Sequence, residues 1–269
     1  MREACEVTDP PSSLSHGRSP GRSKLPGGIG VALVTIFKGD GTLDVATTTQ
    51  CARHCVDHGI RFILVAGTTG EAWRLSAADR VELVGAIKES LPHIPVLVGT
   101  GDPRASTALE LTEHLSSRRV ADGLVVLSPS DMGAAEFYTA VREVAPEDTV
   151  LAYSFPDAFP PGIHPSELPL LPVDGIKDSS GSADRLAEMV SAGFEVYVGS
   201  SNLLAIAGPC GAKGAILALA NIVPELCWEA WAGDTSAQRE LFGVHVESLS
   251  DFPNGVKAEV LKALESKTL

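Results

Sequence analysis

Apolar and polar positions along this chain follow two rhythms. Short, continuously apolar runs rich in Val, Ile and Leu are separated by longer stretches with apolar residues at helical spacing. The runs at 31–36, 62–65, 96–99, 123–127, 150–153, 175–177, 195–198 and 215–219 predict strands. Their lack of alternation is what burial on both faces of a parallel sheet requires. Helical spacing covers 45–58, 77–91, 106–115, 135–144, 182–192 and 225–232, with a shorter helix near 165–171. Eight strand-and-helix units in succession predict an α/β fold of the (β/α)8 barrel kind. A doubly wound open sheet is the runner-up. It is weakened because no Gly-rich dinucleotide fingerprint follows the first strand.

The two ends break the rhythm. Residues 1–28 are rich in Pro, Ser, Gly and Arg and have almost no aliphatic periodicity, so a disordered leader outside the fold is expected. The segment lacks the apolar core of a secretory signal, and its acidic residues count against a transit peptide. The barrel is expected over 29–233. Residues 234–269 read as a short C-terminal extension of two helices, broken near Phe252-Pro253-Asn254-Gly255.

Composition narrows the function classes. Of 269 residues, 44% are hydrophobic and 20% charged, an ordinary globular balance. A formal charge of -13 removes nucleic acid from the expected partners, because no basic groove is available to neutralise phosphates. No apolar run approaches the ~20 residues of a membrane span, so no membrane partner is expected. The 5 cysteines show no framework spacing and fit reduced thiols in the cytoplasm. Cys51, Cys55 and His58 share a helix face at a spacing that can ligate a metal. Because that face continues into an apolar helix, plain packing is expected and no metal is assigned.

Chemistry gathers around Val173-Asp174-Gly175-Ile176-Lys177-Asp178-Ser179-Ser180-Gly181. An apolar run ends on a lysine, and a polar turn follows. A lysine at the end of a buried strand projects its amine into the cavity above the sheet, where desolvation favours the neutral, nucleophilic form. That is what Schiff-base chemistry on a carbonyl needs, although a strand-end lysine pointing to solvent satisfies the same pattern. Two further clusters sit at strand ends. Ala66-Gly67-Thr68-Thr69-Gly70-Glu71 can converge backbone N–H groups and two hydroxyls on a carboxylate, or serve as an ordinary turn before a helix capped by Ser76. Tyr153 ends the strand next to that of Lys177, so its phenol can reach the amine across a spacing of about 4.8 Å. A core-edge tyrosine is the plainer alternative. A small-residue turn, Gly199-Ser200-Ser201, ends the seventh strand and leaves room beneath a ligand.

Together these pieces resemble the dihydrodipicolinate synthase / N-acetylneuraminate lyase family of class I aldolases. The resemblance rests on Gly67-Thr68-Thr69-Gly70-Glu71, Tyr153-x-x-Pro156, Gly175-Ile176-Lys177-Asp178, Val198-Gly199-Ser200, and Gly214-Ala215-Ile216 leading into Ala220-Asn221. It implies a barrel whose Lys177 forms a Schiff base with pyruvate or another 2-oxo acid, with Tyr153 shuttling protons and Thr68 in the relay. The Thr68-Thr69 turn would hold the 2-oxo acid carboxylate, with Gly67, Gly199 and Ile216 completing the binding surface. It implies no metal and no organic cofactor, because the iminium is the electron sink. A homodimer or homotetramer is the assembly it implies.

Two departures separate the chain from family members that make dihydrodipicolinate. Those members carry a second tyrosine after the fourth strand, where this chain reads Ser128-Pro129-Ser130-Asp131-Met132. A water or Asp131 would have to take its place. They also carry an arginine shortly after the Tyr153-type residue, where this chain reads Asp157-Ala158-Phe159-Pro160-Pro161-Gly162. The loop is closer to members acting on 2-keto-3-deoxy sugar acids or hydroxy 2-oxo acids. The expected activity is therefore reversible cleavage of such an acid to pyruvate and an aldehyde. Dihydrodipicolinate synthase itself is the first alternative, and Arg74 or Arg104 near the site would favour it. A catalytically idle member that binds a 2-oxo acid or a protein partner is the second. A phosphate-binding barrel is more distant, because the last two strand ends lack a clear phosphate loop.

Overall fold

The computed structural model of the protein describes residues 25–266. Eight parallel strands close into a barrel in chain order: β1 (Gly28–Ala32), β2 (Ile63–Val65), β3 (Val96–Gly99), β4 (Gly123–Leu127), β5 (Val150–Ser154), β6 (Gly175–Asp178), β7 (Val196–Val198) and β8 (Gly214–Leu217). The register Gly28↔Gly214 through Val31↔Leu217 shuts the sheet, and closure leaves no unpaired edge. Outside lie α1 (Val45–Asp57), α2 (Ala77–Ser90), α3 (Ala105–Arg118), α4 (Ala134–Val144), α5 (Ala183–Ser191), the short α6 (Leu204–Ala207) and α7 (Pro224–Trp231). The fold is the expected (β/α)8 barrel. Short polar caps start several helices. The Asp44 carboxylate accepts from Thr47 N–H at α1, and Ser76 and Asp79 form a reciprocal box at α2.

Within each strand the pleat separates two cores. Leu124, Val126, Val150, Ala152 and Ile176 face outward into the layer between strands and helices. Val125, Leu127, Leu151 and Tyr153 face inward, where Leu25, Phe62, Leu64, Leu97, Tyr197 and Ile216 join them. This period of two decides which side chain of β6 enters the barrel.

Three boundaries differ from the sequence expectation. The first strand begins at Gly28 and stops at Ala32, short of residue 36. It stops because the buried Asn221 side chain takes over the backbone pairing, accepting from Val34 N–H at 3.1 Å and donating to Ala32 O at 2.8 Å. The expected leader also ends too late. Leu25 is buried in the barrel interior, and Tyr197 Oη donates to Pro26 O at 3.0 Å, so residues 25–28 close the barrel floor. The rest of that expected leader lies outside the described residues. Finally, the β5–β6 connection holds only a 3-10 turn at Pro165–Leu170, where Pro169 denies the turn an N–H donor.

Beyond the barrel, α8 (Thr235–Leu249) packs on α7, and α9 (Asn254–Ser266) returns across α1, burying Val256 and Val260. On α1, Cys51 and Cys55 are turned into the core, and burial pushes the Cys51 thiol up to about 12. Among the described residues no helix is long and apolar enough to cross a membrane.

Candidate active site

Lys177 and Tyr153 are register partners on β6 and β5, so both occupy inward positions at the same height near the C-terminal ends of their strands. Both are about 5% exposed. Lys177 Nζ lies 3.6 Å from the centre of the Tyr153 ring and donates to Ser179 Oγ at 3.2 Å. The Tyr153 hydroxyl meets Thr68 Oγ1 at 3.3 Å. Lysine, serine, tyrosine and threonine thus form one polar network. Burial pushes the Tyr153 phenol up. The Lys177 ammonium and hydrogen bonds with Thr68, Lys177 and Ser179 together outweigh it and leave the phenol below its ordinary range.

The turn after β2 is strained at both ends. Ala66 and Glu71, neither of them glycine, adopt positive φ of 53° and 51°. Within it, the amides of Gly70 and Ala72 return to Gly67 O, and that of Glu71 returns to Thr68 O. Among the described residues the amides of Thr68 and Thr69 make no hydrogen bond, which leaves them as the donors an anion could use. Thr69 is buried within the turn, and Gly67 lines the cavity beside Thr68.

Other parts brace the lysine strand. The pleat turns Asp178 away from the barrel centre onto Arg185 of α5, which meets it through Nη2 at 2.6 Å and Nε at 3.2 Å. Gly199 N–H donates to Asp178 O at 2.7 Å. A Cβ on Gly199 would sit 1.9 Å from Ser179 Oγ, so only glycine lets that hydroxyl reach Lys177. Ile216 is buried in the interior cluster with Tyr153 and does not line the cavity.

That cavity opens on the β2–β5 side and has a volume of about 120 Å³. Its walls are Leu64, Val125, Leu127, Pro103, Trp73 and Phe159, and it reaches Thr68 and Tyr153. Arg80, buried behind it, donates to Gly99 O, to Ala72 O at 2.7 Å and to Leu75 O, tying the β3 end to the β2 turn. Burial pulls its guanidinium down to about 10, so it stays charged at neutral pH.

Sequence reasoning missed several parts. Asp131, expected as a substitute proton carrier, is exposed and accepts from Ala105 N–H at 2.9 Å, capping α3. A helix N-terminus draws a carboxylate more strongly than a neutral phenol does. Ser179, overlooked as a turn residue, accepts from Lys177 Nζ instead. Arg74 and Arg104 do not line the cavity. Arg74 pairs with Glu71 at 3.3 Å over the Phe37 ring, and Arg104 folds onto Asp102. Lys257 of α9 also contacts Glu71, a link between the last helix and the Thr68 turn that spacing cannot reveal.

An amine facing a phenol on the C-terminal rim of a (β/α)8 barrel defines a carbon–carbon lyase of the class I aldolase type. The chain belongs to the dihydrodipicolinate synthetase family, whose model matches residues 25–249. A 4-hydroxy-tetrahydrodipicolinate synthase of Prochlorococcus marinus is 29% identical over 71% of this chain and 68% of its own length. An uncharacterised DapA-like lyase of Halobacterium salinarum is 32% identical over 79% of this chain and 74% of its own. Among solved structures, YagE of Escherichia coli K12, a family member in complex with pyruvate, superposes with a TM-score of 0.79 at 25% identity, covering 88% of each chain.

Proposed function

We propose that this protein cleaves a 4-hydroxy-2-oxo acid reversibly to pyruvate and an aldehyde through a Schiff base on Lys177. The observation that carries this reading is the Lys177 amine, buried against the Tyr153 ring and held by Ser179. The amine attacks the 2-oxo carbon and water leaves, giving an iminium. Tyr153 gives its proton to the departing hydroxide and, as the phenolate so formed, takes the proton of the C4 hydroxyl; the C3–C4 bond breaks, and its electron pair moves to the iminium as an enamine. The aldehyde departs. Protonation at C3 and hydrolysis release pyruvate and restore the amine. Thr68 and Ser179 pass protons to and from Tyr153, and the amides of Thr68 and Thr69 hold the carboxylate. Gly67 and Gly199 complete the surface under the 2-oxo acid, Ile216 packs beneath them in the barrel interior, and no metal or organic cofactor enters the scheme.

The names of the curated relatives favour a second reading, 4-hydroxy-tetrahydrodipicolinate synthase. The cavity lining speaks against it. Among the described residues no cation lines that surface, and its one charged residue is Asp102, which would repel a second substrate carrying a carboxylate. A homodimer or homotetramer fits the exposed Phe242 and Val246 on α8, and a cytoplasmic setting fits the free thiols of Cys51, Cys55, Cys210 and Cys227. Measuring pyruvate released from 4-hydroxy-2-oxo acids tests the activity. Turnover that disappears in Lys177→Ala is expected. Tight pyruvate binding with no turnover on any 2-oxo acid would instead mark an idle member of the family.

A further inference from the structure

We infer that the aldehyde partner carries an uncharged apolar tail, aromatic or branched aliphatic, and that it is not a polyhydroxylated or carboxylate-bearing aldehyde. This rests on the lyase reading above and adds the chemical class of its second substrate. The argument starts from the cavity beside Tyr153. A group bonded to the scissile carbon must lie next to the phenol that takes the C4 hydroxyl proton, and the space available there is walled by Leu64, Val125, Leu127, Trp73 and Phe159.

Those walls offer almost nothing to a hydroxylated chain. Apart from Thr68 and Tyr153, which belong to the chemistry, the lining contributes a single charged side chain, Asp102. Its Oδ1 already accepts from Arg104 N–H at 2.9 Å and from Arg104 Nε at 3.4 Å, which leaves Oδ2 as the one carboxylate oxygen that a hydroxyl could meet. Beyond the one or two hydroxyls that Asp102 Oδ2 or the Trp73 indole N–H could meet, each hydroxyl of a sugar-like tail would give up water without a partner in return. A carboxylate tail would meet neither an arginine nor a lysine.

An apolar tail fits on both size and chemistry. At about 120 Å³ the cavity is somewhat smaller than the apolar cavity of about 150 Å³ that holds benzene, so a branched aliphatic tail fills it and a ring extends toward the exposed Trp73. Trp73 is 67% exposed, an unusual position for an indole, and a planar tail laid against it would cover its face. Phe159, packed edge-on to Phe155, lines the same cavity. The reaction is balanced as before: the tail stays on C4 and leaves with the aldehyde carbonyl.

The test runs condensation of pyruvate with benzaldehyde, isobutyraldehyde, glyceraldehyde and aspartate 4-semialdehyde, comparing kcat/KM. Trapping of the pyruvate adduct by borohydride is followed in parallel. The expected result is a preference of about tenfold or more for the two apolar aldehydes, since one methylene in an apolar pocket is worth about 10–200-fold. Phe159→Ser and, at the exposed mouth, Trp73→Ser should each narrow that preference while the pyruvate adduct still forms. Preference for glyceraldehyde or the semialdehyde with a normal adduct overturns the inference and leaves the lyase reading standing. An unchanged preference in both variants also overturns it. Absence of any adduct removes the lyase reading and the inference with it.

Discussion

The two halves of the barrel rim carry opposite surfaces. On the β5–β6 half, Lys177, Tyr153 and Ser179 are polar, buried and hydrogen-bonded to one another, with Thr68 reaching across from the β2 turn. On the β2–β4 half, Leu64, Val125 and Leu127 present bare hydrocarbon around a cavity. One half holds the phenol and amine in a single hydrogen-bonded network; the other, apart from Asp102, offers hydrocarbon. On the proposed reading the difference places reaction and selectivity on separate strands, which is how one barrel frame accommodates many substrates.

Variants should break the two halves in different ways. The largest effect belongs to Lys177→Ala, expected to lower turnover by a factor on the order of 10⁵ for every aldehyde, as loss of a nucleophile does. Tyr153→Phe should lower kcat by about 10²–10⁴-fold while still allowing a pyruvate adduct, because the amine is intact. Ser179→Ala removes a hydrogen bond to a charged group and should cost about tenfold in kcat, again for all aldehydes. Steady-state kinetics on two unlike aldehydes separates these uniform losses from a change in selectivity.

A pH measurement sharpens the same contrast. The Tyr153 phenol is held below its ordinary value of about 10, so the unfolded chain binds the proton more readily there than the folded one. That contribution to stability is fully present above the unfolded value and is lost as pH falls through the folded value. Denaturant melts should therefore show wild type gaining on Tyr153→Phe as pH rises toward about 10, with no such trend for Phe159→Ser. The smallest effect is expected for Lys257→Met. Arg74 still faces Glu71, so stability should fall by only about 1–2 kcal/mol, between a surface pair and a buried one.

The barrel was legible because its strands are buried on both faces, which writes unbroken Val, Ile and Leu runs into the sequence. Lys177, Tyr153 and Thr68 were legible for a related reason. Lys177 and Tyr153 lie at the ends of such runs and Thr68 in the turn that follows one, and strand ends converge on one rim. Ser179 was hidden because its role depends on Gly199 of a neighbouring strand lacking a Cβ, a contact between residues distant in sequence. Asp131 misled because a carboxylate near the site and a carboxylate capping the next helix look alike until the α3 N-terminus is placed. The apolar cavity draws its lining from four strands and the turns after them, so no local pattern announces it. Residues 25–28 lacked periodicity for yet another reason: they plug the barrel floor through Leu25 and the Pro26 carbonyl, not through a repeating face.

The most direct test is borohydride reduction with pyruvate, followed by intact-mass measurement and peptide mapping. A pyruvyl adduct on the peptide containing Lys177, absent in Lys177→Ala and retained in Tyr153→Phe, is the predicted result. An adduct on another lysine, or none with pyruvate and several other 2-oxo acids, would contradict the assignment of Lys177 as the nucleophile of this barrel.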